Sequence, residues 1–97
     1  MTGAVEITNN VAAQRYELRI DGELAGMVAY RPGPGRIVFT HTEVEPRFEG
    51  HGVGGQLASF VLDDARRQGL QVVARCPFIA EYIRRHPDYQ ELLASRR

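Results

Sequence analysis

Four glycines fall within the six residues Gly50-His51-Gly52-Val53-Gly54-Gly55, directly ahead of a run with helical periodicity. Glycine costs roughly 1 kcal/mol relative to alanine in a helix interior, so this cluster weakens the start of the helix that follows. A helix N-terminus also presents unpaired N–H groups and a partial positive charge, and glycine lets an anion approach that backbone closely. The cluster therefore reads as a phosphate cradle, against the alternative of a tight strand-to-helix turn that holds nothing.

The flanking sequence places the cluster in a strand–loop–helix–strand unit. Ala4–Thr8 and Arg15–Ile20 read as strands, the second with Tyr16, Leu18 and Ile20 on one face. Asp21-Gly22 supplies a tight hairpin turn, and Leu24–Tyr30 is the partner strand. Arg31-Pro32-Gly33-Pro34-Gly35 is expected to be irregular, since two prolines and two glycines interrupt it. A fourth strand starts near Arg36 and stops at Pro46, whose missing N–H ends a ladder. After the glycines, Leu57, Phe60, Val61 and Ala65 recur at helical spacing up to Gly69, a natural helix stop. Leu70–Ala74 reads as a fifth strand. Beyond Pro77, Phe78, Ile79, Tyr82 and Ile83 predict a second helix, and Pro87 breaks into a last turn over Asp88–Ala94. The expectation is a single α+β domain, 1–97: an antiparallel meander followed by one βαβ unit.

Twelve arginines, with no lysine, balance twelve acidic residues, which argues against nucleic acid as an obligatory partner. No apolar run is long enough to cross a bilayer, and the first ten residues show neither a basic nor an apolar signal region. A single cysteine, Cys76, can form neither an internal disulfide nor a metal site on its own. These points predict a cytoplasmic protein with no metal. Absence of lysine also removes the P-loop, which needs Gly-Lys-Ser or Gly-Lys-Thr to close its cradle. Gly50, Gly52 and Gly55 do satisfy G-x-G-x-x-G, and Arg75 lies where a dinucleotide fold could place its ribose-side residue. The doubly wound parallel sheet which that motif requires is not in the pattern.

A third phosphate-binding family fits better. Glu49-Gly50-His51-Gly52-Val53-Gly54 resembles the R/Q-x-x-G-x-G/A pyrophosphate loop of the GNAT superfamily of acetyl-CoA-dependent N-acetyltransferases, with Glu49 standing where Arg or Gln is usual. The ordered motifs HTEV, EGHGVGGQL, CPF, EYI and HPDY, spread over roughly Arg15–Leu93, resemble the very small single-domain GNAT-like proteins whose acceptor-binding helices are reduced. The resemblance implies a GNAT-like fold and acetyl-CoA or coenzyme A as co-substrate. It implies coenzyme contacts from Val44, Glu49, Gly50, His51, Gly52, Val53, Gly54, Gly55, Cys76, Phe78, Tyr82 and Arg85. It leaves the amine or protein acceptor unnamed. Reduced acceptor helices would also expose apolar sheet that a dimer could cover, so both monomer and homodimer are open.

Acetyl transfer from a thioester to an amine needs a deprotonated amine, donors for the oxyanion and a route for the departing thiolate. His41 and Glu43 lie two apart on the fourth strand and so share a face, each a candidate base, unless a bulge intervenes. Cys76 ends the fifth strand and is a candidate nucleophile activated by His41, or a small buried residue lining the pantetheine channel. Tyr89 and Tyr82 are candidates to protonate the thiolate, with core packing the favoured role for Tyr82. Arg84 and Arg85 could hold the 3′-phosphate or cover a helix with charge. His86, ahead of Pro87, reads as a turn residue. Two further functions stay open beside the enzyme: an acyl-CoA-binding module without turnover, and an interaction protein that keeps only the fold.

Overall fold

The structure is a computed structural model that describes residues 3–93. Five strands follow chain order across one sheet: β1 (Val5–Asn10), β2 (Arg15–Ile20), β3 (Glu23–Gly33), β4 (Arg36–Val44) and β5 (Gln71–Ala74). The first four pair antiparallel and β5 joins β4 in parallel, the handiwork of the crossover helix α1 (Val53–Arg67). Helix α2 (Pro77–Arg85) and a 3-10 segment, Pro87–Leu92, complete the described chain. The α+β architecture is the expected one. Ala94, where the sequence ended its last turn, lies outside the described residues.

Local chemistry explains most boundaries. Asp21 and Gly22 both take positive φ, 51° and 84°, as a two-residue hairpin turn between paired Ile20 and Glu23 requires. Helix α1 stops at a Schellman motif: Gly69 is left-handed, its N–H donates to Arg66 O at 3.1 Å, and the Leu70 N–H donates to Ala65 O at 2.9 Å. Proline at the first turn opens α2, where no N–H is needed.

One boundary departs from expectation. Strand β3 does not stop at Tyr30 but continues through Arg31 and Pro32 to Gly33, with Pro32 opposite Ile37 and Gly33 opposite Arg36. The β2–β3 ladder ends at Ala29 with one further bond, from the Tyr30 N–H to Gln14 O at 2.9 Å, so at Pro32 only β4 pairs with the strand. A proline on a strand with one free edge breaks no central ladder, which is why Pro32 is accommodated.

The core lies between the sheet and the helices. Tyr16, Leu18, Val28 and Phe39 pack from the sheet against Val53, Leu57, Val61 and Leu62 of α1, with Ile79 and Ile83 of α2 beside them. Phe60, expected in the helix stripe, sits on its flank at 37% exposure, edge-on to Tyr16. Tyr16 is buried, and its hydroxyl donates to Asp64 Oδ2 at 2.5 Å; Arg67 and Gln68 also donate to that carboxylate, so the polar groups beneath α1 are satisfied.

Among the described residues no helix covers the opposite face of the sheet, and that face is not the apolar surface that lost acceptor helices were expected to leave. Register puts Thr8, Glu17, Met27 and Glu43 in one row across it and Asn10, Arg15, Ala29 and His41 in the next. Six of these eight side chains are polar, and Met27 and Ala29 are the apolar ones. Glu17 is only 4% exposed there because Arg15 Nε and Arg19 Nη1 each donate to its carboxylate at 2.7 Å, with Asn10 adding a third bond at 3.2 Å. The apolar surface expected there is thus confined, in these two rows, to Met27 and Ala29.

The same clamp makes a pH prediction. The hydrogen bonds from Arg19, then Arg15, lower the Glu17 pKa from 4.5 to about 2. A depressed carboxylate contributes stability that is whole above the unfolded value near 4.5 and is lost as pH falls through about 2. Denaturant midpoints measured at pH 7 and pH 2.5 should differ for the wild type, and Glu17→Gln should lower the pH 7 midpoint and shrink that difference. An equal drop in both proteins would remove Glu17 from the acid response.

Candidate coenzyme cleft and acyl-transfer site

Two structural breaks make the site. The first is the start of α1. Its N-cap is Gly52, left-handed at φ 76°, with no side chain capping the helix and no acidic residue in the first turn. The first intrahelical bond runs from the Gln56 N–H to Gly52 O at 3.0 Å, so the amides of Val53, Gly54 and Gly55 have no helical acceptor. In most helices a Ser, Thr, Asp or Asn at the N-cap satisfies one of these groups; here no side chain does, and the dipole at this end is uncompensated by an acidic residue in the first turn. A surface groove of about 350 Å³ lies over them, lined by Val44, Glu49, Gly50, Gly52, Val53, Gly54, Gly55 and Phe78 among others. Phe78 closes one wall: a Cβ on Gly54 would come within 2.8 Å of its ring.

The second break is the parting of β4 from β5. Their pairing ends at Phe39 and Ala74, and both Arg75 N–H and Cys76 N–H then donate to the same Phe39 carbonyl at 3.0 Å. Strand β4 continues from Thr40 to Val44 with no β5 partner, which leaves backbone groups on that edge free. A bulge coincides with this point: Tyr30 pairs with Phe39 and Ala29 with His41, so Thr40 is the extra residue.

The bulge decides where the candidate catalytic groups face. Before it, Ile37 and Phe39 point into the core; after it, His41 and Glu43 are exposed and Thr42 and Val44 turn inward. His41 and Glu43 do share a face, the helix-free one, with His41 Nε2 and Glu43 Oε2 3.1 Å apart. Cys76 is on the other side, 3% exposed, with its sulfur 3.1 Å from the Thr42 hydroxyl. The sequence-based pairing of Cys76 with His41 as its activating base is not the observed arrangement, because the two residues lie on opposite faces of β4. Thr42 was missed in the sequence; only its alternation with His41 and Glu43 could have marked it.

The remaining candidates spread along α2 and beyond. Phe78 is shared by the glycine groove and a neighbouring hollow of about 390 Å³ lined also by Glu81, Tyr82, Arg85 and His86. Glu81 accepts from Arg85 Nε at 2.9 Å and from Arg84 Nη2 at 2.6 Å, and these bonds, Arg84 first, hold its carboxyl down at about 2. Tyr82 stacks on His86 with centroids 3.9 Å apart, and His86 Nδ1 meets the Tyr82 carbonyl at 2.8 Å, the turn role expected of that histidine. Tyr89 is buried and donates its hydroxyl to Asp63 Oδ1 of α1 at 2.7 Å; burial, then the bond to Asp63, raises its pKa. Its proton is thus engaged with α1. His51 is exposed and stands edge-on to Phe48, outside the groove lining. Among the described residues no three of His, Cys, Asp and Glu gather as a metal site, and no helix is long and apolar enough to cross a membrane.

Known proteins share this framework. A GCN5-like protein of Staphylococcus aureus superposes with a TM-score of 0.71 at 23% identity, over 95% of this chain and 90% of that one. A ribosomal-protein-alanine N-acetyltransferase from Brucella melitensis biovar Abortus 2308 gives 0.60 at 22% identity, over 86% and 62%. At these identities the likeness establishes the fold. No curated protein matches the sequence. The family model of the GCN5-related N-acetyltransferases matches residues 15–92, the span from the first core strand to the end of the 3-10 segment, and the chain therefore belongs to that family.

Proposed function

We propose that this protein binds acetyl-CoA along the groove between the α1 N-terminus and the parted strands and transfers its acetyl group to an amine presented on the helix-free face. The observation that carries the reading is the uncapped start of α1: three backbone amides, Val53 to Gly55, aimed with the dipole at a groove whose floor is glycine. A pyrophosphate fits that chemistry, and side chains at Gly52 or Gly54 would crowd it. Bound there, the coenzyme supplies a thioester acetyl group and a thiolate leaving group.

The chain's own residues supply the rest. The free edge of β4 past the bulge offers backbone partners to an extended amide-bearing arm, and on this reading the arm runs from the groove toward the end of β4 that carries His41 and Glu43. A carboxylate only accepts hydrogen bonds, so on this reading His41 donates from Nε2 to Glu43 and presents Nδ1 as the base for the acceptor ammonium. Direct attack by the freed amine needs no covalent enzyme intermediate. Cys76, buried against Thr42, lines the gap on this reading.

The test is calorimetric titration with acetyl-CoA and coenzyme A, followed by an amine panel with wild type, His41→Gln, Glu43→Gln and Cys76→Ala, and by mass spectrometry of the protein. Direct attack predicts turnover retained in Cys76→Ala and reduced by ~10²-fold or more in His41→Gln, the range of a lost general base. A +42 Da adduct on Cys76 would instead establish a covalent route. Binding without turnover on any amine would leave an acyl-CoA-binding module.

Glu49 gives a sharper check on the groove. It lines the cradle, is exposed, and has no ion-pair partner among the described residues. A carboxylate beside a pyrophosphate costs about 1 kcal/mol in a solvated setting. Glu49→Gln should therefore tighten coenzyme A binding about fivefold at low salt, with the gain shrinking toward 0.5 M salt. Weaker binding in that variant would mean that Glu49 contacts the ligand as a hydrogen-bond acceptor.

A further inference from the structure

The other end of α1 holds a second hollow that the acetyl-transfer reading does not use. Helix α1 has fifteen residues, so its C-terminus lies about 20 Å from the glycine loop. There a hollow of about 270 Å³ opens between the end of the helix and the β3–β4 hairpin. Its buried floor is Tyr16, Tyr30 and Ile37, with Pro32 as a wall, and its exposed rim carries Asn9, Arg36 and Gln68.

The rim groups are half-committed in a complementary way. The Tyr30 hydroxyl donates to Asn9 Oδ1 at 2.8 Å, which leaves the Asn9 amide N–H groups over. Gln68 Nε2 donates to Asp64 at 2.8 Å, which leaves its carbonyl oxygen over. Arg36 enters none of the ion pairs formed among the described residues. Its side chain lies across Gly33, where a Cβ would stand 3.3 Å from both Cγ and Nε. The absent side chain at Gly33 thus seats the guanidinium at the rim. One fork of donors matches one carboxylate. Flat aromatic and proline surfaces suit a ring, and the Gln68 carbonyl suits a donor on it.

We propose that this hollow is a binding site for a small ring-bearing monocarboxylate, with Arg36 and Asn9 on the carboxylate, Tyr30 and Pro32 on the ring and Gln68 accepting from a ring hydroxyl or amino group. The volume holds a ligand of roughly ten non-hydrogen atoms, far smaller than a coenzyme A. The site is independent of the acetyl-transfer reading and stands or falls separately.

The test is an amide-resolved NMR titration of the full chain with 4-hydroxybenzoate and, as the uncharged control, 4-hydroxybenzamide. Saturable shifts at Asn9, Gly33, Ile37 and Gln68 with a dissociation constant below ~1 mM, and at least tenfold weaker binding of the amide, are expected. Arg36→Gln should weaken the benzoate at least tenfold. Gly33→Ala keeps the charge and asks the Arg36 side chain to give by only a few tenths of an ångström, so it should weaken the benzoate less than Arg36→Gln does, which ties the loss to the guanidinium rather than to the backbone of the hairpin. Both positions lie at the hairpin rim, and the same spectra report whether each variant is folded. No saturation at ~10 mM, equal binding of acid and amide, indifference to Arg36→Gln, or shifts confined to Gly50–Gly55 would each overturn the proposal.

Discussion

Gly52→Val should abolish measurable coenzyme A binding, a loss of ~100-fold or more, while the protein remains folded. Two effects act together at this residue. Its φ of 76° lies in the left-handed region, where an L-residue costs roughly 1–2 kcal/mol and a β-branched one more, so the N-cap would relax toward another conformation and turn the Val53–Gly55 amides away. A side chain that kept the native backbone would stand at the groove lining itself. No neighbouring atom lies within 4 Å of a Cβ built at Gly52, so the penalty comes from conformation and from the ligand, not from collision within the fold. Thermal unfolding should accordingly show a modest decrease beside a complete loss in calorimetry. Unchanged affinity with the expected drop in stability would remove the pyrophosphate from this loop and with it the acetyl-transfer reading.

Gly26→Val should destabilise the fold severely. Gly26 sits on β3 beneath the first turns of α1, and a Cβ there would lie 2.8 Å from Val53 Cγ1, 2.9 Å from the Glu43 carbonyl oxygen and 3.1 Å from Leu57 Cδ1. The carbonyl belongs to the β3–β4 ladder and cannot swing aside as a side-chain tip can. Overpacking of a tight core costs roughly 1–3 kcal/mol, and backbone displacement brings this case to the upper end for alanine and beyond it for valine. Because Val53 is the first residue of α1, any relief must lift the helix N-terminus off the sheet and move the anion cradle with it. Gly26→Ala is the informative partner variant: denaturant midpoints should fall by ~2 kcal/mol equivalent, and coenzyme A affinity should fall as well. A Gly26→Ala protein with wild-type stability would show that α1 packs more loosely on β3 than these distances state.

These two glycines differ in how they could be seen. Gly52 stands in a cluster whose density before a helical run announces an unusual backbone, and its role follows from chemistry that is local to the loop. Gly26 stands alone inside the continuous apolar run Leu24–Tyr30, where a lone glycine signals a bulge or a close approach without naming what approaches. Its reason is a helix that arrives more than twenty-five residues later in the chain. The same contrast runs through the site: the loop residues were legible as a set, whereas Thr42 acquires meaning only from Cys76 across the strand gap.

The sequence by itself determined what short-range forces control. Asp21-Gly22 demanded a turn with two positive φ values, Gly69 ended α1, proline opened α2, and the glycine run denied the α1 N-terminus a side-chain cap. Backbone sterics and periodicity act over one to seven residues, so these features can be read from neighbours alone. Tertiary structure decided the rest. Strand β3 runs through Pro32 because β2 has already ended beside it, a fact about pairing rather than about proline propensity. The bulge at Thr40 turned His41 and Glu43 to the helix-free face and left Cys76 with Thr42, because inserting one residue in a ladder exchanges the faces of all that follow. The uncovered face is polar because Arg15 and Arg19 close over Glu17, an arrangement that alternation along β2 permits and that only the neighbouring strands β1 and β3 place on the open side of the sheet.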